Sequence, residues 1–137
     1  MPKVSVLKLF QDNSDSLKLS WEGSSRNNDM VLDSNKINHS TEGLIGNLNL
    51  MHPNWIQIFS RTEAAYFSKM DLATQTASLD QLPKSGLVCL ILSDGENAPK
   101  SLSSFATKNS IPILKSPLAS QQIIWVLRTY LGKTLAE

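Results

Sequence analysis

The stretch GLVCLILSDGENAPKSLSSFATKNSIPILKSPL, residues 86–118, decides the fold class of this 137-residue chain. Its apolar run at 87–92 shows no alternation, which is typical of a strand buried on both faces of a sheet. A turn is predicted at Ser93-Asp94-Gly95, helical periodicity at 98–108, and a second strand at 111–114. A helix that connects two such strands makes them parallel. The stretch therefore predicts part of a sheet that is covered by helices.

The sequence after this stretch predicts the longest helix of the chain. Ser116 is the expected N-cap and Pro117 the first helical residue, while Asn109 is the expected left-handed cap of the preceding helix. Trp125 falls off the apolar stripe, and it is expected either to pack against something outside this chain or to be a single exposed apolar residue. The stripe itself consists of Ile123, Ile124, Leu127, Leu131 and Leu135.

The first forty residues carry weaker signals. Val4 to Phe10 predicts a short helix that ends at Asn13-Ser14-Asp15. The alternation of Leu17, Leu19 and Trp21 predicts a half-buried strand, and residues 30–32 a weak one. Polar connections are expected at 22–29 and 33–43.

Two further strands are expected at 44–51 and 55–59, because Pro53 between them forbids a continuous ladder. The next helix begins at a capping box formed by Ser60 and Glu63. It carries Tyr66 and Phe67 among its apolar residues. Residues 71–82 predict a helix or an irregular lid. Together the elements predict one α/β domain over 1–137, with a small mixed or parallel sheet and helices on both faces.

Composition excludes several partner classes. With 13 basic and 12 acidic residues the net charge is +1, so we expect no nucleic-acid partner. The apolar run at 87–92 is far shorter than the roughly 20 residues that span a bilayer, and no membrane partner is expected. Cys89 is the single cysteine and cannot form an intrachain disulfide. A buried thiol fits a reducing compartment, which predicts a cytoplasmic protein.

The chain shows no catalytic constellation. Gly132-Lys133-Thr134 matches the end of a phosphate-binding loop, but Leu127 stands where that loop needs its first glycine, and the preceding sequence is helical. His39, His52 and Cys89 lack metal-ligand spacing. We therefore predict no catalytic, cofactor-binding or metal-binding residue in this chain.

One hypothetical binding site follows from topology. Ligands of parallel sheets collect outside the carboxyl ends of the strands, which here are two segments. We call them the ligand rim: Ser93, Asp94, Gly95, Lys115 and Ser116. Gly95 would allow close backbone approach, and the final helix would offer free amides to an anion. The competing and favoured interpretation is that these are good turn and cap residues.

Several segments, in order and spacing, resemble the amino-terminal domain of the bacterial HPr kinase/phosphorylase family. They are Val4 to Phe10, His52-Pro53 with Ile56-Gln57-Ile58, Glu63 with Tyr66-Phe67, residues 111–118, and residues 127–131. The likeness covers essentially the whole chain, although no single motif is specific. Residues 23–43 depart from the family pattern.

The resemblance implies a bacterial regulator of carbon metabolism and of the phosphotransferase system. Complete members are about twice as long and form hexamers. A carboxyl-terminal domain, absent from this chain, binds ATP and magnesium and acts on a serine of the phosphocarrier HPr. The amino-terminal domain is similar in fold to a substrate-binding domain of the Mur ligases. We expect this chain to be part of such a protein, a stand-alone copy being the alternative.

Three functions remain open at this point. The favoured one is a non-catalytic assembly or regulatory domain of an HPr serine kinase/phosphorylase, acting through surfaces that include Trp125. The alternative is a sensor that binds a small molecule or anion at the ligand rim. An enzyme acting alone is the least favoured.

Overall fold

The computed structural model describes residues 3–22, 31–33, 45–47, 56–80 and 89–134. The strands within these ranges are β1 (Lys3–Ser5), β2 (Ser20–Glu22), β3 (Val31–Asp33), β4 (Ile45–Asn47), β5 (Ile56–Phe59), β6 (Cys89–Leu92) and β7 (Ile113–Lys115). The helices are α1 (Val6–Leu17), α2 (Arg61–Ser68), α3 (Leu72–Leu79), α4 (Lys100–Asn109) and α5 (Ser120–Thr134).

The main sheet is mixed and has the strand order β2-β7-β6-β5-β4. The four strands from β4 to β7 run parallel, and β2 pairs antiparallel with β7 at one edge. Helices α2 and α3 connect β5 to β6, and α4 connects β6 to β7. The small second sheet pairs β1 with β3. Since β5, β6 and β7 are parallel, their carboxyl ends lie at one edge of the sheet.

Helices cover both faces of the main sheet, as the continuous apolar run predicts. One face packs Ile58, Cys89 and Ile91 against α1 and α5. The opposite face packs Leu90 and Leu92 against α2, α3 and α4. All four residues of β6 are buried, because successive side chains of a strand point to opposite faces and here both faces are covered. The α/β prediction is confirmed.

The amino-terminal region differs from the sequence-based prediction. Val4 lies in β1, where it pairs with Leu32, and α1 begins at Val6 with Ser5 as its cap. The helix also runs past the predicted stop, since the buried Asn13 side chain donates to the Leu9 carbonyl at 2.9 Å. A polar side chain that bonds back to the preceding turn does not end a helix. Leu17 is therefore helical rather than part of a strand.

Two predicted helix boundaries are also wrong. Asn109 is the last residue of α4, and Ser110 takes the left-handed conformation with φ of 55°. Asn109 itself is helical, and its side-chain amide donates to the Phe105 carbonyl at 2.9 Å. Ser116 does not cap α5, which begins at Ser120. The Ser116 hydroxyl accepts instead from the Leu118 amide at 3.1 Å, which closes a local turn ahead of the helix.

Other predictions are confirmed within the described residues. The weak strand around Val31, the two strands that became β4 and β5, and the turn at 93–95 are present. The capping box of α2 is formed, with the Glu63 carboxylate accepting from the Ser60 amide at 3.2 Å. The segment after Asp71 is a helix, α3. Of the predicted polar connections at 22–29 and 33–43, Glu22 and Asp33 instead end the strands β2 and β3, and the rest lies outside the described residues. Residues 48–55, 81–88 and 135–137 also lie outside them.

Candidate functional site

The ligand rim lies at the carboxyl edge of the sheet, where topology placed it. Ser93, Asp94 and Gly95 follow β6, while Lys115 ends β7 and Ser116 follows it. The two segments are joined by hydrogen bonds from the Ser116 amide to the Leu92 carbonyl at 2.8 Å and from the Gly95 amide to the Ser116 carbonyl at 3.0 Å. The fold thus brings all five predicted residues to one edge.

Asp94 forms the centre of this edge. Its backbone is left-handed with φ of 57°, next to Gly95 with φ of 69°. Its carboxylate accepts from the Ser93 hydroxyl at 3.0 Å and from the Arg61 amide at 3.3 Å. A carboxylate at the amino end of a helix satisfies an amide that has no partner within the helix, and it is favoured by the helix dipole. Asp94 therefore caps α2 from a different strand.

The backbone amides of the ligand rim are engaged within the chain. The Asp94 amide donates to the Leu118 carbonyl at 2.8 Å, and the Ser93 amide to the Phe59 carbonyl at 3.0 Å. The first turn of α5 lies beyond Ser116, starting at Ser120. An anion at this edge would have to displace these internal bonds or use side chains. This geometry matches the interpretation of the residues as turn and cap residues, and the ligand rim stays a prediction.

The remaining two rim residues hold the edge strand in place. The buried Ser116 hydroxyl donates to the Leu17 carbonyl at 2.7 Å, which ties the end of α1 to β7. The Lys115 ammonium donates to the Asn97 side chain at 2.6 Å and lies 3.9 Å from the Glu22 carboxylate of β2. Both side chains link elements that are distant in sequence.

Trp125, the predicted interface residue, lies on the outer surface of α5. Its side chain is 70% exposed, whereas Ile123 and Leu127 on the same helix are fully buried. The helix is held on the domain by its inner stripe and by the Tyr130 hydroxyl, which donates to the Asp12 carboxylate of α1 at 2.6 Å. Trp125 is not needed for that attachment.

The Gly132-Lys133-Thr134 motif does not form a phosphate-binding loop in this structure. Gly132, Lys133 and Thr134 lie in the last turn of α5, where helical amides bond within the helix rather than wrap a phosphate. Among the described residues no group of three or more His, Cys, Asp or Glu could hold a metal. Cys89 is fully buried, and burial raises the pKa of its thiol to about 12, so it is protonated and unreactive at neutral pH.

The described part of the chain contains no helix with the length and apolar character that crossing a bilayer requires.

Sequence reasoning missed two features. The first is that the Arg61 amide donates to the Asp94 carboxylate at the carboxyl edge. The signal for it was the Asp94-Gly95 pair, which can adopt the left-handed conformation found there. Tyr66 is 61% exposed, although the sequence groups it with the apolar residues of α2. Only the adjacent Phe67 is buried on that helix, against Phe59 at a ring-centroid distance of 5.3 Å. Neighbouring residues of a helix are separated by about 100° around its axis. This angle was the signal that Tyr66 and Phe67 could not both face the core.

The fold defines a class: an α/β domain whose mixed sheet is covered by helices on both faces. The comparison with known families then gives the identity. The model of the HPr serine kinase N terminus family matches residues 4–131. The chain therefore belongs to this family, and the resemblance that the sequence segments indicated is confirmed.

Curated relatives agree with this assignment. The HPr kinase/phosphorylase of Nitrosomonas europaea is 40% identical over 136 residues, which cover 99% of this chain. The proteins of the same name from Bordetella petrii and Chromobacterium violaceum are 35% and 31% identical, over 97% and 99% of this chain. In each case the match covers 42% of the relative. The chain thus spans less than half the length of these relatives.

Proposed function

We propose that this chain serves as a non-catalytic assembly or regulatory domain of an HPr serine kinase/phosphorylase that controls carbon metabolism. The observation that carries the proposal is the match of the HPr serine kinase N terminus family over residues 4–131. The chain covers only 42% of the Nitrosomonas europaea HPr kinase/phosphorylase, which is therefore much longer. A domain that spans 42% of a longer relative is expected to act together with the rest of that protein.

In this proposal the chemistry belongs to a second domain. That domain binds ATP and magnesium and phosphorylates or dephosphorylates HPr. The present chain holds and orients the second domain. The partners of this chain are then its own kinase domain and other subunits of a homo-oligomer, a hexamer by family resemblance, in the cytoplasm. Nucleic acid and membranes are not partners in this proposal, because the net charge is only +1 and no basic run is visible.

Trp125 is the residue through which we expect assembly. Tryptophan is strongly enriched among residues that dominate interface energies, because it buries a large area at little entropic cost. Here it is 70% exposed on a helix whose attachment does not need it. A partner surface that covers this ring would gain most of the energy available from the outer surface of α5.

The test places this chain in the Nitrosomonas europaea relative, in exchange for the region that it matches. The unsubstituted chimera should assemble and phosphorylate HPr. Trp125→Ala should reduce the oligomer mass measured by light scattering, whereas the control Gln121→Ala, an exposed residue on the same helix, should leave it unchanged. An unchanged oligomer mass in the Trp125→Ala chimera would contradict the role of Trp125 in assembly.

The non-catalytic part of the proposal has its own test. The isolated chain, mixed with HPr, ATP and magnesium, should transfer no phosphate to HPr in a radiolabel assay. The isolated remainder of the Nitrosomonas europaea relative should retain transfer. Phosphate transfer by the isolated chain would overturn the proposal.

A second candidate function is a stand-alone sensor of a small molecule or anion at the ligand rim. The convergence of Asp94, Gly95 and Ser116 at one edge favours it, although their amides are engaged within the chain. A thermal-shift screen of nucleotides and phosphorylated metabolites should then raise the melting temperature, and Asp94→Ala or Gly95→Val should abolish the rise. No stabilising compound in such a screen would reject this candidate.

A further inference from the structure

The pair Asp94-Gly95 is the one place in this chain where a glycine follows an aspartate or an asparagine. In such a pair the glycine nitrogen can attack the side-chain carboxyl carbon of the aspartate, because glycine has no Cβ to hinder the approach. The new nitrogen–carbon bond forms as the nitrogen loses its proton and water leaves, which gives a five-membered succinimide ring. Addition of water then opens the ring to aspartate or to isoaspartate. The sequence thus contains one favoured site for this modification.

In the folded chain, hydrogen bonds hold both reacting groups. The Gly95 amide donates to the Ser116 carbonyl at 3.0 Å. The Asp94 carboxylate accepts from the Arg61 amide at 3.3 Å and from the Ser93 hydroxyl at 3.0 Å, so it is directed towards the start of α2. Ring closure requires the carboxyl group to turn from Arg61 to the Gly95 nitrogen, and that nitrogen to give up its proton. Both sets of bonds therefore oppose the reaction.

The backbone of the pair is fixed as well. Asp94 and Gly95 have φ of 57° and 69°, and the Glu96 amide donates to the Ser93 carbonyl at 3.0 Å. These features define a type I′ turn, in which both central residues are left-handed. The turn is attached to the segment after β7, because the Asp94 amide donates to the Leu118 carbonyl at 2.8 Å. The pair therefore has little freedom to rotate until the carboxyl edge opens.

We propose that Asp94-Gly95 is a site of spontaneous isoaspartate formation whose rate the carboxyl edge controls. The reaction proceeds from molecules in which the edge has opened locally, and the closed edge suppresses it. In isoaspartate the former side chain lies in the main chain, which becomes one atom longer between Ser93 and Gly95. The carboxylate that caps α2 is then no longer in place for the Arg61 amide. A transient opening of the edge is thereby converted into a lasting loss of this bond.

The first test compares the folded chain with a peptide of residues 91–98, incubated at the same mildly acidic pH. Enzymatic methylation of isoaspartate, followed by peptide mapping, measures the rate of its formation at position 94. The rate should be at least about tenfold lower in the folded chain, because the reaction there requires local opening. The chain unfolded in urea should react at the rate of the peptide. Equal rates in the folded chain and the peptide, or no isoaspartate in the peptide, would overturn the proposal.

The second test removes the bond between Asp94 and α2. Arg61→Pro deletes the amide donor at the first residue of the helix, a position that suits proline. Ser60 before it is already extended, with φ of −96° and ψ of −179°, as a residue before proline requires. This variant should form isoaspartate about two- to tenfold faster than the unsubstituted chain, as the loss of one hydrogen bond predicts.

The matched control is Arg61→Ala, which removes the same side chain and keeps the amide. It should form isoaspartate at the rate of the unsubstituted chain. Equal rates in Arg61→Pro and Arg61→Ala would mean that the bond to α2 does not restrain Asp94, and would overturn the proposal.

Discussion

The carboxyl edge of the sheet and the outer surfaces of its helices differ in how far the chain satisfies its own groups. At the edge, the amides of Ser93, Asp94 and Gly95 all donate to carbonyls of the chain. On α5 and α2, by contrast, Trp125 and Tyr66 are 70% and 61% exposed. The edge is where topology predicts a ligand, yet the exposed helix surfaces have more to gain from a partner. A position favoured by topology is available only if the local hydrogen bonds leave it open.

The largest expected effect separates the inner and outer surfaces of α5. Leu127 is fully buried, so Leu127→Ala should lower the free energy of unfolding by about 2–5 kcal/mol. Trp125→Ala should change it by no more than about 0.5 kcal/mol, as expected for an exposed site. Urea denaturation of the isolated chain measures both. A large loss in Trp125→Ala would show that the ring packs on its own domain and would remove it as an assembly residue.

A smaller effect tests whether the carboxyl edge is structural. Ser116→Ala removes the donor to the Leu17 carbonyl and leaves that carbonyl without its hydroxyl partner. The expected loss is about 1–3 kcal/mol, the cost of a buried unsatisfied group. Ser103→Ala on the exposed surface of α4 is the control and should stay within about 0.5 kcal/mol. Thermal unfolding compares them, and equal stability of the two variants would mean that the edge is not held by Ser116.

The smallest effect concerns the bond between α1 and α5. The Tyr130 hydroxyl, followed by Lys8, holds the pKa of the Asp12 carboxyl below its ordinary value of 3.8. A depressed folded-state pKa contributes stability above the unfolded value, and this contribution is lost as pH falls through the folded value. Tyr130→Phe should therefore be less stable than the unsubstituted chain at pH 7. The difference should shrink as pH falls from about 4 downwards.

Urea titrations at several pH values measure this difference. Lys18→Ala, at the exposed residue that follows α1, is a control that does not touch Asp12 and should show no pH-dependent narrowing of its stability difference. A stability difference that stays constant down to low pH would mean that the Tyr130 hydroxyl stabilises the chain independently of the charge on Asp12.

Much of the architecture was predictable because the relevant signals are local. The apolar residues of β6 require cover on both faces, which places helices on either side of the sheet. The capping box at Ser60 and Glu63 starts α2 within a few residues of sequence. The boundaries that failed depend on side chains that bond to the backbone, as Asn13 does within α1. Composition and periodicity do not reveal which way such a polar side chain turns.

The ligand rim likewise has a location that the sequence predicts and hydrogen bonds that it does not predict. Sequence and topology together placed its five residues at one edge. Their hydrogen-bond partners came from elsewhere: Leu17 lies 99 residues before Ser116, and Arg61 lies 33 residues before Asp94. Such partners are set by how the helices pack, so the sequence could predict the location of the edge and not whether it is open.

By itself, the sequence determined the α/β class, the buried central strands and the family. The class and the strands rest on local patterns of apolar residues, and the family rests on the order and spacing of several segments. Only the tertiary structure decided that the Ser116 hydroxyl ties β7 to α1, that Asp94 caps α2, and that Tyr66 and Trp125 face outward. These outcomes depend on which groups meet across the fold. The free energy of a polar group is set by its partner in space, whereas the free energy of a buried apolar strand is set mainly by its own composition.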